Sequence, residues 1–152
     1  MAFTTSIKEL QPNDADFAGM QRAPFDEVVE YIVEMMDEAE KDLPLHWWTS
    51  PEDMGRPNKI VCKSVKSIVL TFAASPQWNG NSEYADFKNS DGTPLANTTY
   101  DESKWRRAAE ASLEVIKISE NEPTAKLRLY KNNENGEGEF NPYKSVVDVH
   151  LV

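Results

Sequence analysis

The chain has 152 residues, enough for one compact domain with a hydrophobic core. It carries 26 Asp and Glu against 16 Lys and Arg, and the net charge of −10 disfavours nucleic acids and anionic membrane surfaces, which both need a basic partner. No stretch is apolar over the length of a membrane-spanning helix. The N-terminal residues also lack the basic start and the apolar run of a signal peptide.

Cysteine and histidine are too scarce for several kinds of site. The single cysteine, Cys62, cannot form an internal disulfide or a thiolate metal cluster. The two histidines, His46 and His150, lie far apart in the sequence and show no metal-ligand spacing. The sequence therefore predicts neither a bound metal nor a cofactor.

The first predicted helix spans about residues 24–43. Pro24 suits the first turn, where a missing N–H costs nothing, and Pro44 ends the helix. One side carries an apolar stripe at helical spacing. Its members are Phe25, Val29, Ile32, Met36, Ala39 and Leu43. The other side is acidic, which is typical of a solvated face. Its members are Glu30, Glu34, Asp37, Glu38 and Glu40.

The second predicted helix spans about residues 58–75. Asn58 can cap its start, and Pro76 followed by Gly80 stops it. Its predicted apolar stripe is broad. The members are Val61, Val65, Ile68, Val69 and Phe72. Three lysines share the opposite side, namely Lys59, Lys63 and Lys66. Since this basic face complements the acidic face of the first helix, we expect the two helices to pack as neighbours.

Residues 77–100 form a long loop dominated by Asn, Asp, Gly, Ser and Thr. A structureless loop of this length inside a compact domain is usually functional or an insertion. The Asp91-Gly92 pair predicts a tight turn within it, which could be a hairpin.

The third predicted helix spans about residues 101–119, with Asp101 as its N-cap. Trp105 falls at helical spacing and is predicted to belong to the core. The predicted inner face consists of Trp105, Ala108, Ala109, Ser112 and Ile116. The small residues of this face let another helix approach closely.

The C-terminal part gives weaker signals. Residues 125–130, AKLRLY, alternate and predict a short strand, and NENGEGEF after them predicts a flexible loop. The last eight residues, SVVDVHLV, are compatible with either a strand or a helix. Because the chain stops at Val152 within an apolar run, we expect it to be a segment of a longer protein.

The chemistry favours a binding protein over an enzyme. The carboxylates cluster on helix faces predicted to be solvated, and no Ser-His-Asp pattern, Cys-His pattern or glycine-rich phosphate loop is present. Hard oxygen ligands for calcium occur at Asp86, Asn89 and Asp91. Their spacing is not that of a helix-loop-helix calcium loop, so a plain turn is the preferred interpretation.

Two groups of aromatic residues suit a sugar ligand. Sugar rings stack their apolar faces on Trp and Tyr, while nearby amides and carboxylates bind the hydroxyls. The candidate ligand-binding residues are Trp47, Trp48, Trp78, Asn79, Asn81 and Tyr84. The alternative is that these rings staple loops onto helix ends, and this alternative is preferred for Trp78. Of the adjacent Trp47 and Trp48, one can be buried while the other is exposed.

Five stretches, in this order, resemble the central region of the SusD/RagB family of Bacteroidetes outer-membrane nutrient-binding lipoproteins. They are RAPFDEVVEYIVEMMDEAEKDLP, GRPNK, VLTFAASPQWNGN, YADFKNSDG and YDESKWRRAAEASLEVI. The resemblance covers roughly residues 22–130. It implies a mainly α fold, a tetratricopeptide-like helical segment with long polar loops, with residues 1–152 as a single segment of a longer SusD-like protein.

A physical interpretation of the helices agrees with such repeats, in which small residues let paired helices approach and a proline closes the unit. The second helix shows small, large, small and proline at Ser64, Ile68, Thr71 and Pro76. The third helix opens with a large residue followed by small ones, at Trp105, Ala108 and Ala109.

The resemblance implies a function at the cell surface. The protein would capture an oligosaccharide at the outer membrane, facing outward, and deliver it to a SusC-like TonB-dependent transporter. Its lipid anchor would belong to an N-terminal part outside this chain, since Cys62 lies within a predicted amphipathic helix. Two alternatives stay open. The ligand could be a peptide, as in RagB-like receptors, or the segment could be a protein-interaction scaffold without ligand contacts.

Overall fold

The computed structural model describes residues 21–47, 51–53, 55–121, 130–132 and 140–150. This part of the chain contains four α-helices. They are α1 (Phe25–Asp42), α2 (Lys59–Ala74), α3 (Glu102–Glu120) and α4 (Pro142–His150). Short 3-10 turns occur at Pro51–Asp53 and Ser82–Tyr84. The predicted mainly α fold is confirmed, and each of the three predicted helices begins and ends within one residue of its predicted bounds.

The C-terminal predictions have mixed outcomes. Helix α4 includes most of the stretch for which strand and helix were both open, so the helical alternative is correct there. The strand predicted for residues 125–130 and the loop after it lie almost entirely outside the described residues. They stay predictions.

Side-chain caps begin two of the helices. The Asn58 carboxamide oxygen accepts a hydrogen bond from the backbone N–H of Val61 at 3.0 Å. The Asp101 carboxylate accepts one from the N–H of Ser103 at 2.8 Å. Each cap satisfies a backbone donor that has no partner inside its own helix, so these boundaries are set by local chemistry.

Helix α2 lies in the middle and packs against both α1 and α3. The core along these contacts is made of alanines, valines and one leucine, and the alanines allow close approach of the helix axes. Its members are Val29 and Val33 of α1, Leu70, Ala73 and Ala74 of α2, and Ala108 and Ala111 of α3. Helix α4 makes no comparable packing contact with the other described helices.

The buried faces of α2 and α3 differ from the predicted ones at several positions, although Ala108 of the predicted α3 face is buried. On α2, Ile68 is 68% exposed and Phe72 is 50% exposed, whereas the alanines near its end are buried. On α3, Trp105 is 41% exposed, so its assignment to the core is wrong, and Ile116 is exposed as well. The reason is that Ala108 and Ala111 sit against α2, and this small surface turns the large side chains outward.

The acidic side of α1 is not simply a solvated face, as predicted, because three of its five carboxylates pair with neighbouring helices. Two of these pairs join α1 to α2 and one joins α1 to α3. They are Asp37 with Lys66 at 2.7 Å, Glu40 with Lys63 at 3.0 Å, and Glu30 with Arg107 at 2.5 Å. The predicted packing of the acidic helix beside the basic one is confirmed.

Removing the Glu30–Arg107 pair is expected to have a small, pH-dependent effect. Arg107 donates two hydrogen bonds to the Glu30 carboxylate, and these hold the pKa of Glu30 below its ordinary value of 4.5. A lowered folded-state pKa stabilises the fold above pH 4.5, and this contribution is lost as the pH falls through the folded-state value. Since both side chains are about half exposed, we expect Glu30→Gln to cost no more than about 1 kcal/mol at pH 7.

Urea unfolding at pH 7 and at pH 3 measures this effect. The difference in stability between wild type and Glu30→Gln should shrink at the lower pH. A difference that stays the same or grows at pH 3 would show that the charged form of Glu30 does not stabilise the fold through Arg107.

Candidate functional site

The loop of residues 77–100 contains an ordered hairpin. The N–H of Asn89 donates to the carbonyl oxygen of Thr93 at 3.0 Å, and the N–H of Gly92 donates back to the carbonyl of Asn89 at 2.9 Å. Gly92 has a φ of +88°, which a residue with a side chain adopts only at a cost. The turn predicted at Asp91-Gly92 is therefore confirmed as a hairpin turn.

The hairpin is docked onto the start of α1. The N–H of Phe25 donates to the carbonyl oxygen of Leu95 at 2.8 Å, and the Asn89 carboxamide donates to the carbonyl of Arg22 at 2.8 Å. Leu95 and Ala96 are both buried. The loop is thus held by hydrogen bonds and by burial, although it carries only an isolated β-bridge.

A stack of aromatic rings joins the other end of the loop to α1. The ring centroids of Phe25 and Trp78 are 4.1 Å apart with planes 10° from parallel. On the opposite face of the indole, the Tyr84 ring lies at 5.1 Å and 19°. Phe72 of α2 approaches the same indole at 6.2 Å in a tilted arrangement. Trp78 therefore fastens the loop to two helices.

This stack limits what Trp78 can bind. Both faces of its indole are covered, by Phe25 and Tyr84, so neither face is open to a sugar ring. Its Nε1–H is buried and has no hydrogen-bond partner among the described residues. This geometry agrees with the interpretation preferred for Trp78, in which its ring staples a loop to a helix end.

Asn79 closes the helical pair formed by α2 and α3. It is buried, and its carboxamide exchanges two hydrogen bonds with the backbone of Asp101, the N-cap of α3. The Nδ2 group donates to the Asp101 carbonyl at 2.9 Å, and the Oδ1 atom accepts from the Asp101 N–H at 2.8 Å. One side chain thereby ties the first residues of the loop to its last.

The two remaining candidates in this group make local contacts. The Asn81 carboxamide oxygen accepts a hydrogen bond from the N–H of Glu83 at 3.0 Å, which starts the 3-10 turn. The Tyr84 hydroxyl accepts a long hydrogen bond of 3.5 Å from Gln77. All four candidates of the loop thus lie together beyond the C-terminal end of α2.

Trp47 lies at the opposite end of α2. Its Nε1 group donates to the carbonyl oxygen of Pro57 at 2.9 Å, just before the helix starts. A helix of 16 residues is about 24 Å long, so Trp47 and the group around Trp78 do not share one small ligand site. Trp48 lies outside the described residues, and its role stays a prediction.

The structure adds Tyr100 to the candidates. Its side chain is 60% exposed, and it directly precedes the Asn79–Asp101 junction. The backbone of Tyr100 is held against Gly80, where a Cβ would lie only 2.8 Å from the Tyr100 nitrogen. The ring is thus presented on a firmly held backbone. The only available sequence signal was its position next to a helix cap.

Phe87 is the other aromatic residue that the sequence interpretation missed. It lies 6.0 Å from the Tyr84 ring, and the Arg22 guanidinium sits 5.2 Å from its centroid. This cation–π contact continues the row of rings from α1 to the hairpin.

The groove between α1 and α3 is a concave feature of the described part of the chain. Two cavities of about 180 and 220 Å³ lie along it, with Leu70 and Arg107 lining both. Ion pairs span the groove, since Lys104 pairs with Asp26 at 2.6 Å and Arg107 pairs with Glu30. The charges of these two ion pairs are therefore matched by one another across the groove.

Metal binding finds no support in the described residues. Among them, no group of three or more His, Cys, Asp or Glu side chains is placed to hold a metal ion. In the hairpin the Asn89 Nδ2 group donates to the carbonyl oxygen of Arg22 at 2.8 Å, and the Asp91 carboxylate accepts from the N–H of Thr93 at 2.9 Å. This stretch therefore forms the predicted turn. In the same described part of the chain, no helix is long and apolar enough to cross a membrane.

The fold and the loop define a mainly α protein segment in which a three-helix layer holds a polar, aromatic-rich loop. Two solved structures of BT4246, a protein of Bacteroides thetaiotaomicron, are similar to this segment, and one of them is the selenomethionine form. Both share 35% sequence identity with it, with TM-scores of 0.63 and 0.66 over 75% and 74% of this chain. The chain spans 19% of the length of BT4246. No family model and no curated protein matches the sequence.

Proposed function

We propose that the 152 residues are a segment of a SusD-like nutrient-binding protein, and that the loop of residues 77–100 contributes to binding an oligosaccharide. The resemblance of five ordered sequence stretches supports this proposal. Similarity to a Bacteroides protein in both fold and sequence is consistent with it. The observation that carries it is the stapled loop, which is held by the Trp78 stack and Asn79 while it exposes the ring of Tyr100.

The physical requirement for a sugar site is a rigid aromatic platform with convergent polar groups. Tyr100 supplies an exposed ring on a fixed backbone. Asn97, Thr98 and Thr99 precede it and are also exposed. The Asn97 Oδ1 atom accepts a hydrogen bond from the N–H of Thr99 at 2.9 Å, so the groups that can bond sugar hydroxyls are the Asn97 Nδ2 group and the two threonine hydroxyls. In this proposal Trp78 orders the platform and does not touch the ligand.

The remaining elements of the proposal come from the resemblance. The longer protein would be anchored by a lipid at the outer membrane, facing outward, through an N-terminal part outside this chain. It would pass its ligand to a SusC-like TonB-dependent transporter and perform no chemistry on it.

The Tyr100→Ala variant tests the ligand site. We expect it to weaken glycan binding about fivefold, because loss of a stacking ring costs on the order of 1 kcal/mol. Isothermal titration of the 152-residue chain against a panel of oligosaccharides measures this. Tyr143→Ala is the matched control, since Tyr143 is a tyrosine on α4 that is 84% exposed. Unchanged affinity in Tyr100→Ala, or a wild-type chain that binds no glycan of the panel, would reject the proposed site.

A protein-interaction scaffold is the second candidate function. It is favoured by the structural use of Trp78, Asn79 and Asn81, which leaves few of the candidate ligand residues free. Under this alternative the segment binds the barrel protein but no glycan. Titration of the same chain with peptides in place of glycans distinguishes a RagB-like peptide receptor from a glycan-binding protein and from a scaffold.

A further inference from the structure

Asn79 and Gly80 contact the residues that start α3, and the fold requires both residue types there. The Asn79 carboxamide exchanges two hydrogen bonds with the backbone of Asp101, which takes a donor and an acceptor at the end of one short side chain. Gly80 has a φ of +86°, and a Cβ there would lie 2.8 Å from the nitrogen of Tyr100. We call these contacts the α2–α3 junction. It is built from the dipeptide Asn-Gly.

Asn-Gly is also the dipeptide in which an asparagine side chain reacts most readily with its own backbone. The nitrogen of the following residue attacks the carboxamide carbon. Glycine has no Cβ to hinder this attack and has the widest choice of backbone conformations. The sequence contains two such dipeptides, Asn79-Gly80 and Asn135-Gly136, and the second lies outside the described residues. The α2–α3 junction is therefore a reactive sequence as well as a structural contact.

The closed junction opposes this reaction. Attack converts the planar carboxamide carbon into a tetrahedral one, which draws its oxygen and nitrogen away from their bonds to Asp101 at 2.8 and 2.9 Å. Asn79 is also only 5% exposed, so the water that completes the reaction has little access. The reaction therefore depends on local opening of the junction, and the frequency of such opening is set by local stability.

We propose that Asn79 is a site of spontaneous deamidation that reacts when the junction opens, and that the product prevents the junction from closing again. The backbone nitrogen of Gly80 loses its proton to base and forms a bond with Cγ of Asn79. The bond between Cγ and Nδ2 breaks, and Nδ2 leaves as ammonia. Water then opens the resulting succinimide ring at either carbonyl and gives aspartate or isoaspartate. The modification consumes water, releases ammonia and needs no ligand.

A carboxylate at this position cannot restore the junction. One of its oxygens would face the carbonyl oxygens of Asp101 and Ala74, to which the Asn79 Nδ2 group now donates at 2.9 and 3.4 Å. Because the site is buried, this negative charge would lack a donor there, which is strongly unfavourable. Isoaspartate also lengthens the backbone by one carbon beside the close contact of Gly80 with Tyr100. The modified chain therefore loses the tie between its loop and α3.

Peptide mapping by mass spectrometry measures the conversion in the 152-residue chain, because the change from amide to acid alters the peptide mass. Samples are kept in mildly alkaline buffer with increasing urea. In denaturing urea, where the sequence alone sets the rate, Asn79 should convert as fast as Asn135. In native buffer Asn79 should convert at least about 10-fold more slowly than in denaturing urea, and its rate should rise before the main unfolding transition.

A variant that releases the loop should accelerate the conversion without urea. Trp78→Ala removes the ring that fastens the loop to α1, so Asn79 should convert at least about 10-fold faster than in the wild type in native buffer. Trp47→Ala is the matched control, because Trp47 lies at the opposite end of α2. Its rate at Asn79 should equal that of the wild type. If Trp78→Ala does not fold, the urea series on the wild type still provides the test.

The Asn79→Asp variant tests the effect of the product. It should unfold at a lower urea concentration than the wild type. Asn97→Asp is the matched control, because the exposed Asn97 accepts from the N–H of Thr99 through Oδ1, and an aspartate can do the same. Its unfolding midpoint should equal that of the wild type.

Four outcomes would overturn the inference. The first is an Asn79 that stays unconverted in denaturing urea, and the second is one that converts equally fast in native buffer and in denaturing urea. The third is a native rate that neither urea below the transition nor Trp78→Ala increases, which would exclude opening of the junction as the controlling step. The fourth is an equal unfolding midpoint for Asn79→Asp and Asn97→Asp, which would show that the junction closes around the product.

Discussion

Replacing Trp78 with alanine is expected to lower the free energy of unfolding by about 3 kcal/mol. The indole fills the space between Phe25 and Tyr84 and also contacts Phe72, so its removal leaves a gap that these rings cannot close together. The loop of residues 77–100 would lose its attachment to α1. Urea unfolding followed by far-ultraviolet circular dichroism measures the change.

Two controls separate the stack from general effects of removing a tryptophan. Trp78→Phe keeps a ring in the stack and removes the buried Nε1–H that has no partner, so its cost should stay below about 1.5 kcal/mol. Trp47→Ala removes a tryptophan that makes one hydrogen bond, to Pro57, and should cost about 1 kcal/mol. If Trp78→Ala costs no more than Trp47→Ala, the stack does not fasten the loop.

Replacing Gly80 with alanine is expected to cost about 3 kcal/mol, from two separate causes. Gly80 has a φ of +86°, in the left-handed region that disfavours residues with a side chain. An added Cβ would also lie 2.8 Å from the nitrogen of Tyr100 and 2.9 Å from its Cα. Because the obstacle is backbone, it can move only if the junction between α2 and α3 moves with it.

Gly92 provides a control for the conformational part of this effect. It has a similar φ of +88°, but nothing lies within 4 Å of the position that a Cβ would take. Gly92→Ala should therefore cost only about 1–2 kcal/mol. The excess cost of Gly80→Ala over Gly92→Ala measures the close approach to Tyr100. Equal costs for the two variants would contradict that contact.

The helices were predictable because their boundaries depend on neighbours in the sequence. Asn58 and Asp101 cap their helices by accepting backbone hydrogen bonds from residues two or three positions away. The turn at Asp91-Gly92 is equally local, since it depends on the conformational freedom of one glycine and on hydrogen bonds across four residues.

The choice of the buried face was not predictable from periodicity. The predicted inner face of helix α3 contained both Trp105 and Ala108, whereas the structure exposes Trp105 and buries Ala108. Hydrophobicity alone favoured the larger residue for the core. The structure buries Ala108 because α2 approaches closely there, and a large side chain would prevent that approach.

The role of the loop residues also depended on partners far away in the sequence. Asn79 is of a residue type that often binds sugars, yet its carboxamide forms hydrogen bonds with the backbone of Asp101, 22 positions later. Trp78 is similarly occupied by Phe25, which lies before it on α1. Residue type indicated that these side chains could bind a sugar, but the packing of the loop determines which protein groups they contact.

The sequence by itself determined the helical class, the positions of α1, α2 and α3, the turn at Asp91-Gly92 and the attraction between acidic and basic helices, because each follows from local hydrogen bonding, spacing or charge. Only the tertiary structure decided that Trp105 is exposed, that both faces of Trp78 are covered and that four carboxylates of α1 pair with neighbouring helices. These properties depend on which surfaces meet. Contacts between distant residues are selected by shape and close packing, which the order of residue types does not display.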